Sequence, residues 1–321
     1  MSYGYYPGCS ATRNARSYQT SMDAIAEKLG LEFVEVEDWN CCGATEYFTI
    51  NELPAYSLVG RNLALAAQEN KSEDLVASCS ACFINLKKTD HYMGKSAQLK
   101  ENVNAALEAG GLHYEPGSLQ VKHLLEIIVK DVGFDAVAEK VEKPLYNLKI
   151  APYYGCLVPR PASMGSFDDP EHPTSMDKLM ESLGATVVDY PLKAQCCGGH
   201  MTQISEGTAL ELIRRLLKDA EDHGADAIVT LCPMCQLNLD AYQSNVNSRF
   251  GTDFDIPILY FTQVMGLAFG LPPKEMGFGK EIVSAQPALK KITEEAPKKK
   301  RKRRRRKKDK SLPMPTMPEE G

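Results

Sequence analysis

The 321-residue sequence has no run of consecutive apolar residues approaching the ~18 that a membrane-spanning helix needs. Its first residues, Met1-Ser2-Tyr3-Gly4-Tyr5-Tyr6-Pro7-Gly8-Cys9, lack the basic stretch and apolar core of a secretory signal. Both absences point to a cytoplasmic protein. Disulfides do not persist in a reducing cytosol, so cysteine is expected to serve in metal binding or redox chemistry. Aromatic residues are missing from the one strongly basic stretch, in which twelve of the thirteen residues from Lys298 to Lys310 are Lys or Arg. Without aromatics to stack on bases, that stretch is read as a solvated, disordered extension that pairs with the acidic body or a partner, rather than as a nucleic-acid or membrane contact.

What is present is ten cysteines, and none is left over from a repeat. Cys9 is followed after thirty-one residues by Cys41-Cys42, and after thirty-six more by Cys79-Ser80-Ala81-Cys82. Cys156 is followed after thirty-nine residues by Cys196-Cys197, and after thirty-four by Cys232-Pro233-Met234-Cys235. The flanks repeat too. Tyr6-Pro7-Gly8-Cys9 matches Tyr153-Tyr154-Gly155-Cys156, and Cys41-Cys42-Gly43 matches Cys196-Cys197-Gly198. Arg13 and Arg160 each stand four residues past the first cysteine, and Asn85 matches Asn238. A duplicated unit is the reading.

Apolar periodicity predicts helices over Ser21–Leu29, Leu53–Gln68, Thr174–Leu183 and Thr208–His223. Strands are expected at 31–37, 74–77, 148–153, 186–189 and 226–231. This alternation predicts an α/β fold of two pseudo-symmetric Rossmann-like βαβ halves, each with a small, mostly parallel sheet. Most cysteines fall just after strands, at the carboxyl edge where open α/β sheets place their ligands. The expected divisions are residues 1–143, residues 144–295, and a basic disordered tail over 296–321, with a linker near Pro144. The tail carries all the excess basic charge: outside its basic run and its acids, 25 basic residues face 39 acidic ones.

Thiolate sulfur is a soft anionic ligand that selects zinc, copper(I) and iron–sulfur clusters. Tetrahedral zinc takes four ligands, whereas each set offers five. Side chains of adjacent residues such as Cys41 and Cys42 point apart, which suits a multi-iron object better than one small ion. Gly43 and Gly198 would let the backbone come close to an inorganic sulfide and donate an N–H. Two structural zinc sites remain the alternative. Arg13 and Arg160 are candidates for binding an anionic substrate group or offsetting cluster charge, against surface ion pairing. His200 and Lys193 are candidates for a proton donor and an anion clamp. Asn85 and Asn238 are expected to cap or brace the C-x-x-C turns.

The doubled pattern of single cysteine, Cys-Cys-Gly and C-x-x-C resembles the cysteine-rich CCG domain, and looks most like the catalytic B subunit of heterodisulfide reductase. The resemblance covers about residues 1–270. It implies two noncubane 4Fe–4S clusters, one held by Cys9, Cys41, Cys42, Cys79 and Cys82, the other by Cys156, Cys196, Cys197, Cys232 and Cys235. It also implies a disulfide substrate between the clusters, such as that of coenzyme M and coenzyme B, cleaved by one electron from each side. The implied partners are a small ferredoxin-type C subunit and a flavoprotein A subunit. The same family implies two other roles: an electron-relay subunit of another redox complex, and a sulfur-oxidising variant that runs the chemistry in reverse. The basic tail is not part of the family pattern.

Overall fold

The computed structural model describes residues 1–44, 47–69, 72–160 and 162–296. The basic stretch 298–310 and the rest of the expected tail from 297 lie outside the described residues.

Among the described residues eight strands form two four-stranded sheets, and every strand pairing within them is parallel. In the first half, β1 (Ser2–Tyr6), β2 (Glu32–Glu35), β3 (Asp74–Ala77) and β4 (Gln120–His123) lie in the order β2-β1-β3-β4. In the second, β5 (Lys149–Tyr153), β6 (Thr186–Val187), β7 (Ala227–Thr230) and β8 (Ile258–Tyr260) lie in the order β6-β5-β7-β8. Chain direction across each sheet therefore reverses between its first and third strands. That is the switch point where an open α/β sheet leaves a crevice at its carboxyl end.

Three strands escape the periodicity reading. Ser2–Tyr6 is an aromatic run interrupted by Gly4 and buried on both faces after its first residue, so it shows no alternation. Gln120–His123 and Ile258–Tyr260, of four and three residues, are the outer strands that follow the C-x-x-C helices in each half. The helices are legible because their apolar stripes are long. Arg16–Leu29 buries Tyr18, Met22, Ile25 and Ala26, and ends on Gly30, whose φ of 67° supplies the left-handed cap. Glu206–Asp222 buries Leu210, Ile213, Leu216 and Leu217 against the second sheet.

The halves interlock reciprocally. The helix after β8, Phe261–Ala268, packs on Arg16–Leu29 of the first half, and the helix Phe134–Glu139, which follows β4, packs on Ser175–Ser182 of the second. Buried Ser21 and Thr262 share a 2.6 Å hydroxyl contact across this junction, and Tyr18 stacks on Tyr260 at 4.3 Å. One apolar core runs through both sheets. The segment around Pro144 is tied to the second half, with the amides of Glu142 and Lys143 donating to the Ala268 carbonyl. No helix among the described residues is long and apolar enough to cross a membrane.

Candidate metal centre

The ten cysteines are free thiols gathered at the two switch points. Cys9 follows β1, and Cys79 and Cys82 follow β3, its neighbour in the sheet; Cys156, Cys232 and Cys235 repeat this after β5 and β7. The Cys-Cys pair reaches the same crevice on a loop that two matched contacts pin in each half. The hydroxyl of Tyr6, at the end of β1, donates to the Asn40 carbonyl at 2.6 Å, and that of Tyr153, at the end of β5, donates to the Gln195 carbonyl at 2.8 Å. Both carbonyls immediately precede a Cys-Cys pair. The Asn85 amide donates to the carbonyls of Cys42 and Ala44, and the Asn238 amide to those of Cys197 and Gly199. The asparagines thus brace the Cys-Cys-Gly loop from the C-x-x-C helix, not the C-x-x-C turn on which they were expected to act.

Within the first set, Cys41 and Cys9 sulfurs lie 3.7 Å apart, and Cys42 and Cys82 sulfurs 3.5 Å apart. In the second, Cys197 and Cys235 are 3.5 Å apart. Burial repeats as well: Cys42, Cys79 and Cys82 are buried, as are Cys197, Cys232 and Cys235, while the Cys41 and Cys196 residues face solvent. The two sets meet: Ser80 and Ala81, between Cys79 and Cys82, line the cavity of the second-set cysteines, and Cys79 and Cys232 act on each other's acidity across the halves.

Crowding of the sulfurs dominates their acidity. Hydrogen bonds from Cys42 and Cys9 hold Cys41 down at about 2, and one from Cys156 holds Cys196 at about 6. The partner thiols rise in turn: Cys42, bonded to Cys41, is pushed up to about 11, and Cys9 and Cys156 also rise. Each set can therefore hold only part of its sulfur as thiolate unless positive charge enters. A cluster core of iron would supply it. All five cysteines of the second set line one cavity of about 230 Å³, walled by Leu157, Met201 and Met234 and by Ser80 and Ala81 of the other half. Among the described residues no three His, Cys, Asp or Glu donors are arranged to hold a single metal ion. Five sulfurs around a cavity, rather than around a point, fit a multi-iron cluster.

Gly43 and Gly198 adopt φ of 75° and 93°. The Gly198 amide donates to Cys196 sulfur at 3.3 Å. Two further glycines, not singled out from sequence, leave their side-chain space to cysteine sulfurs. A Cβ on Gly8 would fall 2.8 Å from Cys82 sulfur, and one on Gly155 would fall 3.0 Å from Cys235 sulfur. Their signal was the matched Gly-Cys in each repeat.

The other candidates are placed unequally. His200 lines the second-set cavity. Arg13 is exposed and lines a separate groove with Arg16, Gln236 and Tyr260. The side chains of Arg160 and Lys193 are engaged away from the cysteines. Arg160 pairs with Glu171 at 2.9 Å, and Lys193 pairs with Asp177 at 2.8 Å. The Lys193 carbonyl instead accepts from the amides of Tyr154 and Gly155, holding the turn that carries Cys156.

Comparison with known proteins agrees with this duplication. The family model described as "Cysteine-rich domain" (CCG) matches residues 3–87 and again residues 150–240. The chain is 33% identical, over 88% of its length and 97% of the relative's, to the 8-methylmenaquinol:fumarate reductase membrane anchor subunit of Wolinella succinogenes. It is 30% identical, over 90% of its length and 96% of the relative's, to the B subunit of the ferredoxin/F(420)H(2)-dependent CoB-CoM heterodisulfide reductase of Methanosarcina acetivorans. The crystal structure of a hypothetical protein from Helicobacter pylori shares the fold, with TM-score 0.71 at 15% identity over 88% of this chain, which spans 52% of that longer one. The chain belongs to the cysteine-rich CCG-domain family, carries its domain twice, and is a relative of the B subunits of heterodisulfide reductases.

Proposed function

We propose that each five-cysteine set holds one noncubane 4Fe–4S cluster, and that the chain is the catalytic B-type subunit of a cytoplasmic heterodisulfide reductase-like complex. One observation carries this reading: the cavity lined by all five second-set cysteines is also lined by Ser80 and Ala81 of the first C-x-x-C, so the two sets share one junction. A disulfide bound there faces both sets at once. When bound, the clusters supply single-electron transfer and a soft Lewis acid for sulfur.

Converting one disulfide to two thiols consumes two electrons and two protons. The electrons enter from a ferredoxin-type C subunit fed by a flavoprotein A subunit, and the reverse direction returns them. Within this chain, Leu157, Met201 and Met234 exclude water from the second-set cavity. His200, in the same lining, is the proton donor. Arg13, exposed in the separate groove it forms with Arg16, Gln236 and Tyr260, receives an anionic group of a substrate long enough to reach it, and the coenzyme M–coenzyme B disulfide is of that type. Arg160 and Lys193 brace the second half.

A second reading is an electron-relay subunit of a quinol-linked complex, favoured by the 33% identical relative named for 8-methylmenaquinol:fumarate reductase. Anaerobic purification, iron and sulfide analysis, and electron paramagnetic resonance during thiol titration test both. The catalytic reading expects about eight irons per chain and a signal that changes as thiol is added. Full loading with a spectrum indifferent to thiol would establish the relay.

A further inference from the structure

Although the two sets match in sequence, the junction between them is not symmetric. Cys79 and Cys232 are equivalent residues of the repeat and meet there. The residue after Cys79 is Ser80, which carries a hydroxyl; the residue after Cys232 is Pro233, which has neither a side-chain donor nor an amide proton. The residue ending β4 is His123, whereas the residue ending β8 is Tyr260. These two also occupy matched places, opposite Ala77 and Thr230 in their sheets.

Both first-half residues are buried donors in need of an acceptor. Ser80 is 1% exposed and makes no well-formed hydrogen bond, and Cys232 sulfur is the group it faces. His123 is fully buried, and its Nδ1 accepts the Leu125 amide at 3.1 Å. The proton of the neutral ring therefore resides on Nε2. That Nε2 makes no well-formed hydrogen bond either; it lies near the Ser78 carbonyl, and Cys232 is the charge that acts on the ring. The edge-to-face contact with Phe83, 5.6 Å between centroids, fixes the ring plane. An unpaired buried donor carries a desolvation cost, so Ser80, which lines the same cavity as Cys232, and His123, on whose ring the Cys232 charge acts, mark an acceptor more anionic than a thiol.

We propose that Ser80 and His123 are positioning residues of the first half that direct hydrogen bonds at Cys232 of the second, so that the second centre has the higher reduction potential. This rests on the iron–sulfur reading above. A donor aimed at a ligand sulfur stabilises the reduced, more negative state. Among the described residues no equivalent pair faces Cys79: its side of the junction offers Pro233 and Tyr260, and Tyr260 is stacked on Tyr18 with its hydroxyl toward Gln236. The duplicated fold thereby acquires an order of filling, the second centre first.

The test is a redox titration, followed by electron paramagnetic resonance, of full-length protein purified anaerobically. Wild type should show two separated potentials. Ser80→Ala and His123→Phe should each lower the higher one and leave the lower in place, so that the double variant brings the two together. His123→Gln, which keeps an N–H donor, should restore part of the separation. An unchanged separation in the double variant, or an equal shift of both potentials, overturns the proposal. Wild-type protein devoid of iron and sulfide would overturn the cluster reading itself, and this proposal with it.

Discussion

The backbone of Gly8 runs against the sulfur of Cys82, so that a methyl group added at Gly8 would lie 2.8 Å from it. Gly8 also adopts φ of +70°, where an L side chain costs about 1 kcal/mol or more before any clash. Gly8→Ala must therefore displace either the strand-end turn or the cysteine. Iron content should fall by about half, with the loss confined to the first set. Gly30→Ala is the control, since its φ is +67° with nothing within 4 Å. That variant should lose a similar backbone increment in thermal unfolding and keep its iron. Equal iron loss in both variants would show that backbone strain, not the sulfur contact, is responsible.

Cysteine substitution separates the sets. Cys42 and Cys197 are equivalent residues buried at 4% and 3% exposure, each within 3.5 Å of a second cysteine of its own set. Cys42→Ser should abolish the first centre and leave the second, giving roughly half the iron and sulfide of wild type and one remaining spectroscopic species. Cys197→Ser should give the same stoichiometry with the other species. Full loading of either variant would mean that fewer than five ligands suffice.

The duplication and the sheet class were legible because cysteine is rare and its spacing survives any local distortion. The long helices were legible because amphipathic stripes such as that of Glu206–Asp222 repeat over several turns. The strand that leads to Cys9 was not, because a strand buried on both faces has no alternation to read. Nor were the bonds of Tyr6 to Asn40 and Tyr153 to Gln195, since they depend on sheet register and loop path. Arg13 and Arg160 look equivalent in sequence, yet of the two it is Arg160 that pairs with an acid, Glu171, eleven residues on. Pairing of that kind depends on where a loop folds back.

The loop braces should behave alike in the two halves. Asn238, 1% exposed, donates to the carbonyls of Cys197 and Gly199, the latter at 2.8 Å. Asn238→Ala leaves those carbonyls without a partner, a loss of about 1–3 kcal/mol. Thermal unfolding of the metal-free chain should show it. Asn85→Ala should lose a similar amount through Cys42 and Ala44. Tyr153→Phe keeps the ring packing and removes only the 2.8 Å bond to Gln195, so its loss should be smaller. A drop in iron without any change in unfolding would move these residues from bracing to cluster contact.

His123 makes stability depend on pH in a defined window. Burial lowers its pKa from 6.5 to about 4, so between these values the unfolded chain binds a proton that the folded chain refuses. Folding therefore loses stability as pH falls from about 6.5 toward 4, and the loss is complete below both values. The full difference of two to three pKa units corresponds to about 3 kcal/mol. Chemical denaturation of the metal-free chain at pH 7, 6 and 5 measures the slope. His123→Gln has no titrating group at that position, so its slope should flatten. If that variant keeps the wild-type slope, the buried ring is not its source, and carboxylates or thiols elsewhere carry the acid sensitivity.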